Sequence, residues 1–311
     1  MNAAALPRFR TAMLLGALLA ALTWSGCRET APPVAAPSDR PLRIASLSPA
    51  LSRLAVDAGL GEFIVGRSTY CDMLPTDLPV IGNLYDVDFE NLVRVRPTHL
   101  LVQPPATGVS RELEQVAREH GITILARRLN GVADVLAALE DARSLLTPLE
   151  PSRRARASNR LDELRDRITA LTRSNEDVAW RGRVLIALPG DPVLAFGDAT
   201  YLGELVKARG GHNVVVSAGW VQLTLEDVTR LDPQAIIIVR AVKVGDPRQA
   251  AGPLADLDIR AVREGRLAVL SHPEASLPST SVIEVAEELD AILHAWADSS
   301  ELQRTGSTQR E

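Results

Sequence analysis

The stretch Asp88-Phe89-Glu90-Asn91-Leu92-Val93-Arg94-Val95-Arg96-Pro97-Thr98-His99-Leu100-Leu101-Val102 lies without gaps on Thr224-Leu225-Glu226-Asp227-Val228-Thr229-Arg230-Leu231-Asp232-Pro233-Gln234-Ala235-Ile236-Ile237-Ile238. Glutamate, arginine and proline coincide, Glu90 with Glu226, Arg94 with Arg230 and Pro97 with Pro233, and so do the apolar positions. Each copy spells a helix of about two turns, a proline that stops it, and a buried strand. Asp88 and Thr224 are suitable N-caps, and Asp227 stands three residues after Thr224 as a capping-box acid. Glu90 and Glu226 therefore take the same second helical position, where the helix dipole favours an acid with or without a partner. One unit used twice predicts two related lobes.

Around each copy, strand and helix alternate. Leu42–Leu47 reads as a strand running into Ser48-Pro49 and a helix closed by Gly59; Ile64–Gly66, Leu100–Val102 and Ile122–Leu125 follow as strands, with Val80-Ile81 as a possible further one. The second half repeats the alternation with strands at Val184–Leu188, Val193–Phe196, Ile236–Val239 and Leu267–Leu270, helices at Asp198–Ala208 and Ser279–Trp296, and an extended Val214–Val216. The expected fold is α/β, two Rossmann-like lobes of mostly parallel sheet. Between them, a helix opened by Pro151 and running to about Ala179 carries one apolar stripe, Leu161, Leu164, Ile168 and Leu171. At about 1.5 Å per residue it is roughly 40 Å long, enough to join the lobes. A coiled-coil dimer helix is the alternative use of that stripe.

The amino terminus reads as a processing segment. Arg8 and Arg10 precede the apolar run Met13–Leu22, about the size of a signal-peptide core and short for a membrane span. The run ends in Leu22-Thr23-Trp24-Ser25-Gly26-Cys27, which resembles the lipobox of bacterial lipoproteins, with Trp24 where that pattern usually has Leu. Lipidation of Cys27 would anchor the mature chain to a bacterial membrane, in the periplasm or at the cell exterior; ordinary secretion and an uncleaved anchor are the alternatives. Arg28–Pro41, rich in Pro and Ala, reads as a tether. The expected boundaries are 1–27 signal peptide, 28–41 tether, 42–148 first lobe, 149–180 interdomain helix, 181–298 second lobe and 299–311 a disordered tail.

With 311 residues and 46% apolar content, the chain can fill sizeable cores. Its formal charge of −5 is scattered, without the basic stripe that a nucleic-acid partner would require. With Cys27 acylated, Cys71 is the only other cysteine, so an internal disulfide is ruled out. Gly-x-Ser-x-Gly, Gly-x-Gly-x-x-Gly, His-Glu-x-x-His and the phosphate-loop pattern are absent, which argues against an enzyme.

Several stretches in this order, Arg43–Pro49, Leu54–Gly59, Val65–Asp72, the two glutamate-containing repeats, Phe196–Asn213 and Ala261–Leu267, resemble the substrate-binding proteins of bacterial vitamin B12, iron-siderophore and haem ABC importers. The resemblance covers about Arg43 to His294 and is closest to the vitamin B12 receptor. It implies a class III periplasmic binding protein, a monomer whose lobes are joined by one long helix. It implies a bulky metal-containing ligand in the interlobe cleft, cobalamin or a related corrinoid, with haem or a ferric siderophore as the alternative, and no cofactor of its own. It also implies that Glu90 and Glu226, one per lobe, dock on arginines of the permease dimer. Tyr70 and Trp220 fall where the receptor has pocket aromatics, and Tyr85 stands five residues before Glu90 much as Trp220 stands six before Glu226. Ser48, Pro49, Asp198 and His272 are further cleft candidates, and Cys71 or His272 could coordinate a cobalt or iron carried by the ligand. The chain departs from the family at Ser271–Ser279, where a Pro-, Gly- and Arg-rich segment is usual; Arg53, Arg67 and Arg240 have no assigned place.

Overall fold

Ser48 accepts the Leu51 N–H and Pro49 takes the first helical position, so the chain turns from strand to helix within two residues. The same strand-to-helix grammar is used throughout the computed structural model, which describes residues 40–173 and 180–308, and side chains through Asp298. The signal-peptide, lipobox and most of the tether expectations lie outside these residues.

The first lobe contains β1 (Ile44–Ser46), α1 (Pro49–Asp57), β2 (Ile64–Gly66), α2 (Phe89–Arg94), β3 (His99–Val102), α3 (Arg111–His120), β4 (Thr123–Ala126) and α4 (Val132–Ala142). Its four strands form a parallel sheet in the order β2-β1-β3-β4. Val80 makes only an isolated bridge to Arg67 and does not start a strand.

A single helix, α5 (Pro151–Leu171), leads to the second lobe. It is shorter than expected: Thr172 caps it, leaving 21 residues and about 32 Å. Its buried stripe, Ala157, Leu161 and Ile168, with Leu164 and Leu171 beside it, packs within the chain against α4 and the final helix. The stripe is thus occupied within the chain, which leaves it no free face for the coiled-coil alternative.

The second lobe adds β5 (Arg183–Leu188), β6 (Val193–Phe196), α6 (Tyr201–Ala208), β7 (His212–Asn213), β8 (Trp220–Leu223), α7 (Leu225–Leu231), β9 (Ala235–Val239), α8 (Pro247–Ala251), α9 (Arg260–Arg263), β10 (Leu267–Leu270) and α10 (Val282–Thr308). Its sheet runs β10-β9-β5-β6-β8, with β7 on β5, and is mixed because β6 opposes both neighbours. Strand β7 takes the place expected of an extended Val214–Val216. Helix α10 continues to Thr308, past the expected end at Trp296 and into the expected tail, because neither Pro nor Gly interrupts it before Gly306. The architecture is two α/β lobes of mostly parallel sheet joined by a long helix.

The repeat is borne out at the level of the backbone. In both copies a helix is followed by a residue at positive φ, Arg96 at 45° and Asp232 at 41°, then by the proline and a parallel strand. These are the non-glycine residues with positive φ among those described, and they align with each other. A left-handed residue ends the helix, and proline forbids its resumption. The largest apolar cluster draws on α1 and α4 of the first lobe, on α5, and on α6 and α10 of the second, so the lobes share a core.

Candidate functional site

Parallel strands deliver their loops to one edge, and ligands of open α/β sheets bind beyond the carboxyl ends of the strands. At that edge of the first lobe, Ser48 Oγ donates to Gln103 Oε1 at 3.2 Å, tying the loops after β1 and β3. Ser48 is buried and caps α1, while Pro49 is half-buried.

Trp220 opens β8 directly opposite Phe196. The two rings lie 3.9 Å apart between centroids, at 41°. Phe196 is fully buried, whereas Trp220 is 41% exposed, so one indole face rests on the core and the other is offered outward. Gly197 permits this turn: a Cβ there would lie 2.2 Å from Ser217 O and 2.6 Å from Gly219 O. Helix α6 starts at Tyr201, capped by Thr200, and not at Asp198 as expected. Asp198 Oδ1 instead accepts the Ser217 N–H at 2.8 Å, bracing the loop that leads to Trp220.

Tyr70 and Tyr85 are 69% and 86% exposed, on loops rather than in the core. Tyr85 sits at the tip of a turn in which Asn83 Oδ1 accepts from the N–H groups of Tyr85 and Asp86. No ring contact joins either tyrosine to Trp220 among the described residues.

Glu90 and Glu226 stand in matched settings. Each is the second residue of its helix, their side chains are 83% and 82% exposed, and each pairs with the arginine four residues on, Arg94 and Arg230. Exposed pairs of this kind contribute little to stability and can be exchanged for another partner.

Over 257 residues the chain is 23% identical to an uncharacterized ABC transporter substrate-binding lipoprotein, YvrC, of Bacillus subtilis, covering 80% of this chain and 79% of that one. It is 27% identical over 203 residues to a vitamin B12-binding protein of Pectobacterium carotovorum, covering 64% and 71%. The periplasmic vitamin B12 binding protein BtuF of Vibrio cholerae shares the fold with a TM-score of 0.65 at 19% identity, over 82% of this chain and 97% of that one. The periplasmic heme binding protein HutB of Vibrio cholerae does so at 0.63 and 16%, over 83% and 100%. No protein-family model matches. The chain is thus similar in sequence to substrate-binding proteins of ABC importers and shares the fold of the solved ones.

Two sequence expectations need correction. Cys71 has no exposed surface and belongs to the core. Burial pushes its thiol up, against the pull of a hydrogen bond with Ser52 and of Arg67, so it is a protonated packing group and not a ligand for a metal in the cleft. His272 is half-buried, and its Nδ1 accepts the Glu274 N–H at 3.1 Å. That bond occupies the Nδ1 lone pair within its own loop, so Nδ1 is not open to a metal in the cleft. Among the described residues no group of three or more His, Cys, Asp or Glu is placed to hold a metal ion.

Sequence reasoning also missed the polar ties across the lobes. Arg53 on α1 pairs with Asp57 at 2.7 Å, with Glu274 at 3.3 Å and with Glu284 of α10 at 3.4 Å, and Thr280 Oγ1 donates to Asp57 Oδ2 at 2.6 Å. The family-divergent segment Ser271–Ser279 is thereby fastened to the first lobe. Arg67 and Arg240 each keep a buried Nε without a partner. Their side chains do not converge: Arg67 influences Cys71, while Arg240 donates to Ala250 O of α8 at 3.0 Å. No local pattern announces such pairs, because their partners lie more than 200 residues away in the chain.

Proposed function

We propose that this substrate-binding protein captures cobalamin or a related corrinoid between its lobes and hands it to an ABC permease dimer. The observation that carries the ligand reading is the Trp220 ring, backed by Phe196 and open on its other face. A flat, rigid aromatic surface suits a wide macrocycle with a large apolar area. Tyr70 and Tyr85, exposed on loops of the first lobe, are the corresponding wall on the other side. Ser48, Pro49, Asp198 and His272 serve at the cleft edge as braces and donors.

The similarity to vitamin B12-binding proteins supports the corrinoid. Fold likeness to haem-binding proteins at nearly the same TM-score supports haem or a ferric chelate as the second reading. In either reading the metal belongs to the cargo. Glu90 and Glu226 dock on the permease, and Cys27 carries a lipid that anchors the protein to a bacterial membrane, in the periplasm or at the cell exterior.

Titration of protein from Asp39 onward with cyanocobalamin tests the ligand. The expected result is saturable quenching of Trp220 fluorescence that is absent in Trp220→Ala. Silence with every corrinoid, together with saturable binding of haemin or a ferric chelate, would transfer the proposal to the second reading. Lipidation is tested by mass spectrometry of the membrane-extracted protein, with loss of the lipid mass in Cys27→Ser.

A further inference from the structure

Asn130 lies in the loop between β4 and α4 of the first lobe, yet most of its hydrogen bonds are made to the second. Its amide nitrogen donates to Ala199 O at 2.9 Å and to Ala218 O at 2.7 Å, and its backbone oxygen accepts the Tyr201 N–H at 2.8 Å. Its own N–H is held by Asp134 Oδ2 at 2.9 Å. The two carbonyls bridged by the side chain belong to the segments that frame Trp220. Ala199 follows Gly197-Asp198, and Ala218 is two residues before the indole. Those segments are knitted to each other by Ala199 N to Ser217 O at 3.2 Å and by Gly197 N to Gly219 O at 3.0 Å.

We propose that Asn130 is a positioning residue for the cleft, fixing where the Trp220 platform stands relative to the first lobe and hence the spacing of the two walls that grip the ligand. Asparagine suits the task because a short stem carries two N–H donors, which reach two carbonyls at once. The side-chain bonds are solvent-exposed, so both carbonyls regain water when they are lost. The consequence of losing them is therefore positional more than it is a loss of folding stability. Asn130→Asp keeps the shape and replaces the donors with an acceptor facing two carbonyl oxygens; Asn130→Ala removes the side-chain bonds without repulsion.

The inference rests on the cleft assigned above, and its test separates the two. In unliganded protein from Asp39 onward, Trp180 and Trp296 are buried against each other, so acrylamide quenching that vanishes in Trp220→Phe reports on Trp220 alone. In Asn130→Asp and Asn130→Ala the Trp220 component is expected to become more quenchable, with a nearly unchanged melting midpoint. Affinity for whichever macrocycle the wild type binds should fall about tenfold through faster dissociation. Unchanged Trp220 quenching in either folded variant overturns the proposal whatever the ligand. A fall in affinity that only tracks a fall in melting midpoint, without a change at Trp220, would reduce Asn130 to a general tie between lobes and overturn it as well.

Discussion

Glu204, on the first turn of α6 in the second lobe, accepts the Val132 N–H at the start of α4 in the first, at 2.6 Å. A helix of one lobe is thus capped by a carboxylate of the other. Gly131 precedes it and lets the carboxylate come close: a Cβ there would lie 2.9 Å from Glu204 Oε1, which would have to shift. Glu204→Ala should cost about 1–3 kcal/mol, with Glu204→Gln retaining part of the stability. Urea unfolding checks this, and equal midpoints for wild type and Glu204→Ala would refute it.

Among the described residues, Arg53 is the one cation paired with Asp57, Glu274 and Glu284. Removing it leaves three carboxylates facing one another, whereas removing Glu274 leaves the arginine two partners. Arg53→Ala is expected to be more destabilising than Glu274→Ala, by about 2 kcal/mol after allowance for partial exposure. Added salt should narrow the gap, since it screens the repulsion. A thermal-melt series with and without salt decides it, and a larger loss in Glu274→Ala would count against the network.

Charge reversal at both Glu90 and Glu226 should abolish association with the permease in a pull-down from membranes and leave ligand affinity nearly unchanged. Both carboxylates are far out in solvent, so neither supports the fold. Parallel loss of ligand binding would place them in the cleft instead.

Burial holds the Cys71 thiol proton to higher pH than in the unfolded chain, where cysteine ionises near about pH 8.5. The resulting stability is fully present below that value and declines as pH rises toward the folded-state value, because the unfolded state loses its proton first. Between about pH 7 and about pH 10, wild type should lose more stability than Cys71→Ala. Native protein should also react with a thiol reagent only as fast as it opens, and labelling at the rate of a free thiol would contradict the buried position.

Leu161 is fully buried at the centre of α5, where the core common to both lobes meets the joining helix. Leu161→Ala should cost about 2–5 kcal/mol, as cavity-forming core substitutions do. The expected signature is a single cooperative melt at lower temperature, since one core serves both lobes; two separated transitions would show that they unfold independently.

Local and periodic information was enough for most of the elements and for their duplication, but not for β8, whose Trp220–Leu223 went unread as a strand. Glu90 and Glu226 could be matched from the chain alone because capping, helix dipole and proline punctuation act within a few residues. The two aligned positive-φ residues, Arg96 and Asp232, show how far that grammar reaches into the backbone. The exposed rings at Tyr70, Tyr85 and Trp220 were also legible, since each interrupts no apolar period. What only the tertiary structure decided were burial and long-range pairing. Cys71 reads like a candidate for the cleft until the core closes over it, and Asp198 reads like the start of a helix until Thr200 caps that helix two residues later. Arg53 with Glu274, Glu204 with Val132 and Asn130 with Ala218 are partners set by how the lobes pack. Their energies depend on distance in space, to which the spacing of residues along the chain gives no guide.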